Sequence, residues 1–283
     1  MPELPEVETT RRGLAPLIEG QALRQFAVHQ PMLRWPVSIP NELPGHVVQR
    51  LRRRGKYLLF DFEHGSLIVH LGMSGSLRFV ERETPRLLHD HVELDFGGVH
   101  LVRLNDPRRF GCVLWQPGGG ETHPLLASLG PEPLENEFSG QGLFEKARAR
   151  KVAVKLFVMN SHIVVGVGNI YANEALFLAG VRPTRAAGRS PRGRFEDVAR
   201  AIRMVLDDSI RVGGTTLRDF INPEGKPGYF RQSLRVYDRA DQPCVRCGAG
   251  IESVVLGGRS TYYCPSCQPS RGFGPVSCKV LID

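Results

Sequence analysis

Four cysteines near the C-terminus stand as Cys244-Val-Arg-Cys247 and Cys264-Pro-Ser-Cys267, two CxxC pairs with sixteen residues between them. That spacing lets four thiolates converge tetrahedrally on one Zn2+. With all four positions filled by protein, the metal keeps no open coordination site. Its role is therefore structural: it stabilises a small β-ribbon that could not bury a core of its own. Paired disulfides do not suit a cytosolic chain, and redox chemistry needs one CxxC rather than two. Cys112 and Cys278 are left over, and read as a core residue and a tail residue.

The N-terminus is the second place where residue type suggests chemistry. Removal of Met1 would expose the secondary amine of Pro2 beside the carboxylate of Glu3. An α-amino group with a pKa near 8 is roughly 10% neutral at pH 7, against roughly 0.04% for an ordinary lysine, so it is the better-poised nucleophile. Such an amine can attack a sugar C1′ and become an iminium, an electron sink for elimination. Taken alone, the residues favour the plainer reading of a Pro-Glu helix start.

Other motifs fail. Gly166-Val-Gly168-Asn-Ile carries Tyr171 where a dinucleotide fingerprint requires its third glycine, and Gly55-Lys56 and Gly225-Lys226 lack the following Ser or Thr of a phosphate loop. The glycines before Asn169 instead predict a tight turn opening a helix, with Asn169 as its cap and backbone amides offered to a phosphate. His89, His91, Glu93 and Asp95 would share one strand face. Metal ligation there competes with a hydrated or phosphate-facing strand edge, which is the better reading.

Charge points to a polyanionic partner. Lys+Arg minus Asp+Glu is 37 − 29 = +8 over 283 residues. The excess gathers at Arg50, Arg52, Arg53, Arg54 and Lys56, at Arg108 and Arg109, and at Lys146, Arg148, Arg150, Lys151 and Lys155. Any one run could be a solvated face; three together favour nucleic acid. The longest apolar runs, near 67–69 and 152–158, fall far below the roughly 20 residues that span a bilayer. With no secretory signal at the N-terminus, a cytosolic location is expected.

The elements that must position these residues follow from periodicity. Leu4, Val7, Leu14 and Leu17 predict a first helix that Pro16 bends or ends. From about 21 to 115 the chain alternates in short segments, as in an antiparallel meander or sandwich. Gly/Pro-rich stretches at 116–120 and 129–133 mark a linker, after which helical periodicity covers Gly142–Met159, Ile170–Leu178 and Phe195–Ile210. Short strands return around the cysteines.

Together, Pro2-Glu-Leu-Pro-Glu-Val-Glu-Thr, Gly55-Lys-Tyr-Leu, His70-Leu-Gly-Met-Ser-Gly-Ser-Leu-Arg, His89-Asp-His-Val, Asp106-Pro-Arg-Arg-Phe-Gly, Leu129-Gly-Pro-Glu-Pro-Leu, Val165-Gly-Val-Gly-Asn-Ile-Tyr-Ala-Asn-Glu and the cysteine ribbon resemble, in order, the formamidopyrimidine-DNA glycosylases (Fpg, or MutM). The resemblance runs over about residues 2–268. It implies an α+β fold: an N-terminal antiparallel β-sandwich with flanking helices (2–130), a helical domain with a helix–two-turns–helix motif and a lesion loop (131–233), a zinc ribbon (234–268), and DNA in the cleft between the sandwich and the helical part. Residues 269–283 extend beyond the family pattern and have no assigned role.

The resemblance further implies a monomeric, nucleoid-associated enzyme that excises 8-oxoguanine and formamidopyrimidines from double-stranded DNA and then performs β,δ-elimination. Pro2 is the implied Schiff-base nucleophile, and Glu3 the acid that assists deoxyribose opening. Lys56 would serve β-elimination and Arg259 δ-elimination. His70, His89, Arg109, Lys151, Asn169 and Tyr237 would hold the DNA backbone, while Met73, Arg108 and Phe110 would fill the gap left by the extruded base. Thr215 to Tyr229 resembles the loop that closes over that base. Two other readings are a Nei-like glycosylase for oxidised pyrimidines and a non-catalytic zinc-ribbon DNA-binding protein.

Overall fold

The computed structural model describes residues 2–213 and 234–276. The predicted closing loop, the last part of the tail and Cys278 lie outside the described residues. The chain folds as two compact units: residues 1–128 with 210–231, and residues 129–209 with 232–283.

The first unit begins with α1 (Leu4–Ile18), whose start is fixed by a capping box in which the Glu6 carboxylate accepts the Glu3 N–H at 2.8 Å. Pro16 lies inside the helix but within its last turn. It removes only one backbone bond there, so the helix runs two residues past it. The inward face carries Leu4, Val7, Leu14 and Ile18, while Leu17, expected inside, is exposed. An i, i+4 step from Leu14 reaches Ile18 rather than Leu17.

Eight strands follow: β1 (Gln25–Val28), β2 (Arg50–Arg54), β3 (Tyr57–Phe62), β4 (Gly65–His70), β5 (Ser76–Glu81), β6 (Asp90–Asp95), β7 (His100–Asn105) and β8 (Cys112–Pro117). They form two antiparallel four-stranded sheets, ordered β1-β6-β7-β5 and β2-β3-β4-β8. Period-two alternation turns Leu58, Phe60 and Phe62, Leu67 and Val69, Val92 and Leu94, and Val102 and Leu104 into one core that also takes up Val7, Leu14 and Ile18 of α1. Cys112 is fully buried in this unit, as expected, and burial pushes its thiol up to about 12.

The opposite face of β6 is not the hydrated edge predicted for it. Asp95 takes a bidentate pair from Arg82 at 2.7 and 2.8 Å, Glu93 pairs with Arg103 at 2.7 Å and His29 at 3.2 Å, and His91 Nε2 bonds the Asp106 carbonyl at 2.9 Å. Partner cations and carbonyls satisfy these groups, and His89 precedes the strand.

After the short helix α2 (Pro124–Ala127), the second unit contains α3 (Gly140–Ala147), α4 (Val154–Val158), α5 (Asn169–Leu178) and α6 (Arg192–Arg211), then the hairpin β9 (Glu252–Leu256) and β10 (Arg259–Tyr263). The single helix expected over 142–159 is split. Ala149 adopts φ 58°, ending the helical path, and Ala153 bridges Ala186 before α4 begins. That bridge and the Val154 N–H to Arg185 carbonyl bond (2.7 Å) hold the interruption in place. Helix α5 is buried almost throughout, so its polar residues must find partners within the fold.

Candidate active site

In the first unit, Pro2 and Glu3 are buried at the start of α1. Beside them Glu8 gathers three guanidinium groups: Arg11 (2.8 Å), Arg12 (2.9 Å) and Arg53 (3.1 Å). Burial alone would raise the Glu8 carboxyl; the hydrogen bonds from Arg11 and Arg12 and the nearby charge of Arg53 bring it down instead, to about 2. Arg53 also donates to the Gly55 carbonyl at 3.0 Å. The two-residue turn Gly55-Lys56 between β2 and β3, with Gly55 at φ 57°, is thereby tied to the helix that carries Pro2 and Glu3.

His70 ends β4 opposite Tyr57, the two rings 4.7 Å apart. Its Nδ1 accepts the Gly72 N–H at 2.9 Å, which leaves the proton of the neutral ring on Nε2. Burial, then the charges of Lys56 and Arg34, lower its pKa to about 4. His70 is thus a neutral donor at physiological pH. His89 is half-buried, its carbonyl accepting the Asp106 N–H at 3.0 Å.

The three residues expected to fill the gap in the duplex stand on two adjoining loops. Asp106, fully buried, folds the second: its Oδ2 accepts the Gly111 N–H at 2.7 Å, and its carbonyl accepts the Arg109 N–H at 3.1 Å. Burial raises its carboxyl despite these N–H groups. Arg109 consequently sits at φ 54°. Phe110 is 43% exposed with the Arg108 guanidinium 5.0 Å over its ring, so it serves no core. Met73 follows Gly72, where a Cβ would lie 2.5 Å from the Gly111 nitrogen; only glycine lets the Met73 turn approach the Phe110 loop so closely.

In the second unit, Asn169 is the first residue of α5, and its cap is Gly168. The predicted capping role fails because Asn169 lies one residue inside the helix; its Nδ2 donates to the Ser260 carbonyl at 3.1 Å, and its Oδ1 has no hydrogen-bond partner among the described residues. Lys155, counted with a basic surface run, is fully buried; its Nζ donates to the Ser260 carbonyl (3.0 Å) and Thr261 Oγ1 (2.6 Å). Asn173 Oδ1 accepts the Tyr262 N–H at 2.8 Å. Together they fix β10, whose first residue is the exposed Arg259, presented by a Gly257-Gly258 turn at φ 55° and 72°. Glu174, also fully buried, accepts the N–H groups of Arg235, Val236 and Tyr237 at 2.9–3.0 Å and so sets the Tyr237 ring 5.2 Å from that of Tyr262. Lys151 is exposed.

The cysteine sulfurs of Cys244, Cys247, Cys264 and Cys267 lie within 4.8 Å of one another, with Sγ–Sγ separations of 3.9, 3.5 and 3.7 Å along three of the edges. A tetrahedron of thiolates with Zn–S near 2.3 Å has edges of about 3.8 Å, so the four fit one zinc with no open position.

Sequence models of three domains match the chain in order: the formamidopyrimidine-DNA glycosylase N-terminal domain over residues 1–113, the formamidopyrimidine-DNA glycosylase H2TH domain over 129–221, and the zinc finger found in FPG and IleRS over 241–269. Formamidopyrimidine-DNA glycosylases of Magnetococcus marinus and Hahella chejuensis are 56% and 54% identical to it, each alignment covering 95% of this chain and 99% or 100% of the relative. The chain belongs to the formamidopyrimidine-DNA glycosylase family. Among solved structures it is similar to MutM (Fpg) of Thermus thermophilus (39% identity, TM-score 0.86, 97% of this chain and all of that one). It is also similar to a Lactococcus lactis FPG mutant in complex with Fapy-dG-containing DNA (32% identity, TM-score 0.88, 95% and 100% covered). The zinc is thus the family's structural metal, held by the four cysteines.

Sequence reasoning missed Lys155, Asn173 and Glu174 as positioning residues. For Asn173 and Glu174 the available signal was one amide and one carboxylate inside the otherwise apolar run Ile170–Leu178. It also over-read the first basic run, where Arg52 is committed to Asp61 and Glu121, and Arg53 to Glu8.

Proposed function

We infer that this chain is a bifunctional DNA glycosylase and abasic-site lyase of base excision repair that removes oxidised purines from duplex DNA. The observation that carries the reading is family membership over nearly the whole chain with Pro2-Glu3 intact at the capped start of α1. The relatives bear that enzyme's name, and the Lactococcus lactis neighbour was solved with Fapy-dG-containing DNA.

In the proposed reaction the Pro2 nitrogen attacks C1′, the C1′–N9 bond breaks and the base leaves with a proton, while Glu3 protonates O4′ as the sugar ring opens. The resulting iminium withdraws electrons from C2′. Loss of a C2′ proton expels the 3′-phosphate, the step given to Lys56; a second elimination, given to Arg259, expels the 5′-phosphate. Pro2, rather than Lys56, is the nucleophile because an N-terminal amine is the better neutral base at pH 7. His70 donates Nε2–H to a backbone phosphate without adding charge, and His89, Arg109, Lys151, Asn169 and Tyr237 hold further phosphates. Asn169 Oδ1, unpartnered among the described residues, and the first amides of α5 suit a hydrated phosphate.

The enzyme acts as a monomer beside the nucleoid in the cytoplasm; no helix among the described residues is long and apolar enough to cross a membrane. Borohydride trapping on an 8-oxoguanine·cytosine duplex, followed by mapping of the cross-linked peptide, tests lesion, covalency and nucleophile together. A cross-link on Pro2 is expected. One on Lys56 would refute the assignment, and trapping only on oxidised pyrimidines would move the enzyme to the Nei-like class.

A further inference from the structure

The second unit holds a concave basin of about 630 Å³ whose walls come from three separate segments. Arg150 and Lys151 follow the Ala149 kink, Arg182, Arg185 and Arg189 lie on the stretch leading into α6, and Ser270 belongs to the segment after the last zinc cysteine. No carboxylate lines it. Among the described residues, Arg150, Lys151, Arg185 and Arg189 form no ion pair, whereas Arg182 alone has an acid nearby, Glu252 at 3.8 Å.

The cations are held in place. Arg150 Nε donates to the Lys146 carbonyl at 2.6 Å, and the Ala153–Ala186 bridge brings the two basic segments side by side. Arg185 donates to the carbonyls of Ser270 (3.3 Å) and Gly272 (2.5 Å) and stacks 4.4 Å over Phe273, so residues 270–273 brace it. Its Nε is buried with no hydrogen-bond partner among the described residues. Burial and the neighbouring charge of Arg189 press its pKa below the ordinary value. Fixed like charges with no internal counter-charge repel one another, and an anion of high charge density relieves that repulsion. Guanidinium forks match tetrahedral oxyanions in geometry as well as charge.

We propose that this basin is a phosphate-binding subsite that takes a backbone phosphate of the bound duplex away from the lesion, extending the DNA footprint past Lys151. The proposal rests on the inferred action on duplex DNA, and the duplex is preferred over a free phosphate because the basin shares Lys151 with the expected backbone contacts. Ser270 and the residues bracing Arg185 lie beyond residue 269, where the zinc-finger match ends. The wall they form gives part of the C-terminal extension a task.

The test uses the full chain with Arg189→Gln, Arg189→Lys and Arg189→Glu; Arg189 is exposed and outside the catalytic groups. Binding to duplexes with a non-cleavable abasic analogue is measured against salt, with lengths from about one to about three helical turns. On the longest duplex, Arg189→Gln is expected to lower the slope of log K against log salt by about 1 and to weaken binding roughly 3- to 10-fold at low salt. Arg189→Lys keeps the wild-type slope, Arg189→Glu weakens binding further, and on the shortest duplex all variants bind like wild type. An unchanged slope for Arg189→Gln at every length overturns the proposal. So does a result in which pyrophosphate raises the melting temperature of the DNA-free wild type but not of Arg189→Gln while DNA binding is unaffected, since the basin then takes a free phosphate. Loss of trapping in the wild type itself would instead defeat the proposed function and leaves these slopes readable.

Discussion

Glu8 is the residue whose replacement tests how the first unit positions its chemistry. Its carboxylate joins α1 to the β2–β3 turn through Arg53, which itself bonds the Gly55 carbonyl. The folded state lowers the Glu8 pKa from 4.5 to about 2, the pull of Arg11, Arg12 and Arg53 outweighing burial. That lowering corresponds to roughly 3 kcal/mol, and the partial exposure of its arginine partners screens this to about 2 kcal/mol. Glu8→Gln keeps the shape and removes the charge. For a unit of this size each kcal/mol moves the melting temperature by about 3 to 4 °C, so the variant should melt about 6 to 8 °C lower at pH 7. The depressed pKa sets the pH dependence: the contribution is complete above about pH 4.5 and is lost as pH falls toward about 2. Wild type and variant should therefore converge over that window in calorimetric scans. With the Lys56 turn loosened, elimination at a pre-formed abasic site should slow more than duplex binding weakens. A melting difference below about 1 °C at pH 7, or one that persists unchanged at pH 3, would refute the reasoning.

Other outcomes follow from single features. Cys247→Ser should lose its zinc by elemental analysis and at least 10-fold in duplex affinity while the sandwich stays folded, because one missing thiolate opens the site that secures the hairpin bearing Arg259; full affinity in metal-free protein would contradict this. Phe110→Ala and Arg108→Ala should slow excision of paired 8-oxoguanine by about 10- to 100-fold, or about 1.4 to 2.7 kcal/mol, and abasic-site cleavage much less, since no base then needs extruding; equal losses on both substrates would return these residues to a packing role. The His70 ring should show no titration above about pH 5 by NMR, its folded pKa being about 4, and stability should fall as pH drops from about 6.5 toward 4 because the unfolded ring takes up its proton first; a midpoint near 6.5 would disprove the neutral donor.

The strands were legible because period-two alternation records which face is buried: the stretch from about 21 to 115, read as short alternating segments, became β1 to β8 between Gln25 and Pro117. The zinc site was legible because ligand spacing in a CxxC pair is local. Interruptions were not. The expected helix over 142–159 keeps helical periodicity through a region that tertiary pairing, Ala153 with Ala186, pulls out of the helical path. Propensity is a weak prior there, and a distant bridge overrides it. Burial of charge was equally hidden: nothing within the run Lys146 to Lys155 separates Lys155, bonded to Ser260 and Thr261 over a hundred residues away, from the exposed Lys151.

The same distinction explains why positioning residues escape motif reading while reacting residues do not. The groups proposed to react stand in recognisable local frames, Pro2 at a capped helix start and Arg259 after a Gly-Gly turn. The groups that aim it act across long separations. Ser260 receives both Lys155 and Asn169, and Glu174 gathers three successive N–H groups from 235–237. Each is a polar atom inside an apolar layer, where leaving one partner unmade costs about 1 to 3 kcal/mol, more when the group is charged. That penalty makes the network specific: Glu174→Gln would keep the volume but set an amide NH2 against N–H donors, so the Tyr237 segment should loosen before α5 itself unfolds. Hydrogen exchange at Arg235–Tyr237 rising ahead of exchange in Ile170–Leu178 is the expected order, and simultaneous loss of protection in both would show that Glu174 supports the whole core rather than aiming one turn of the chain.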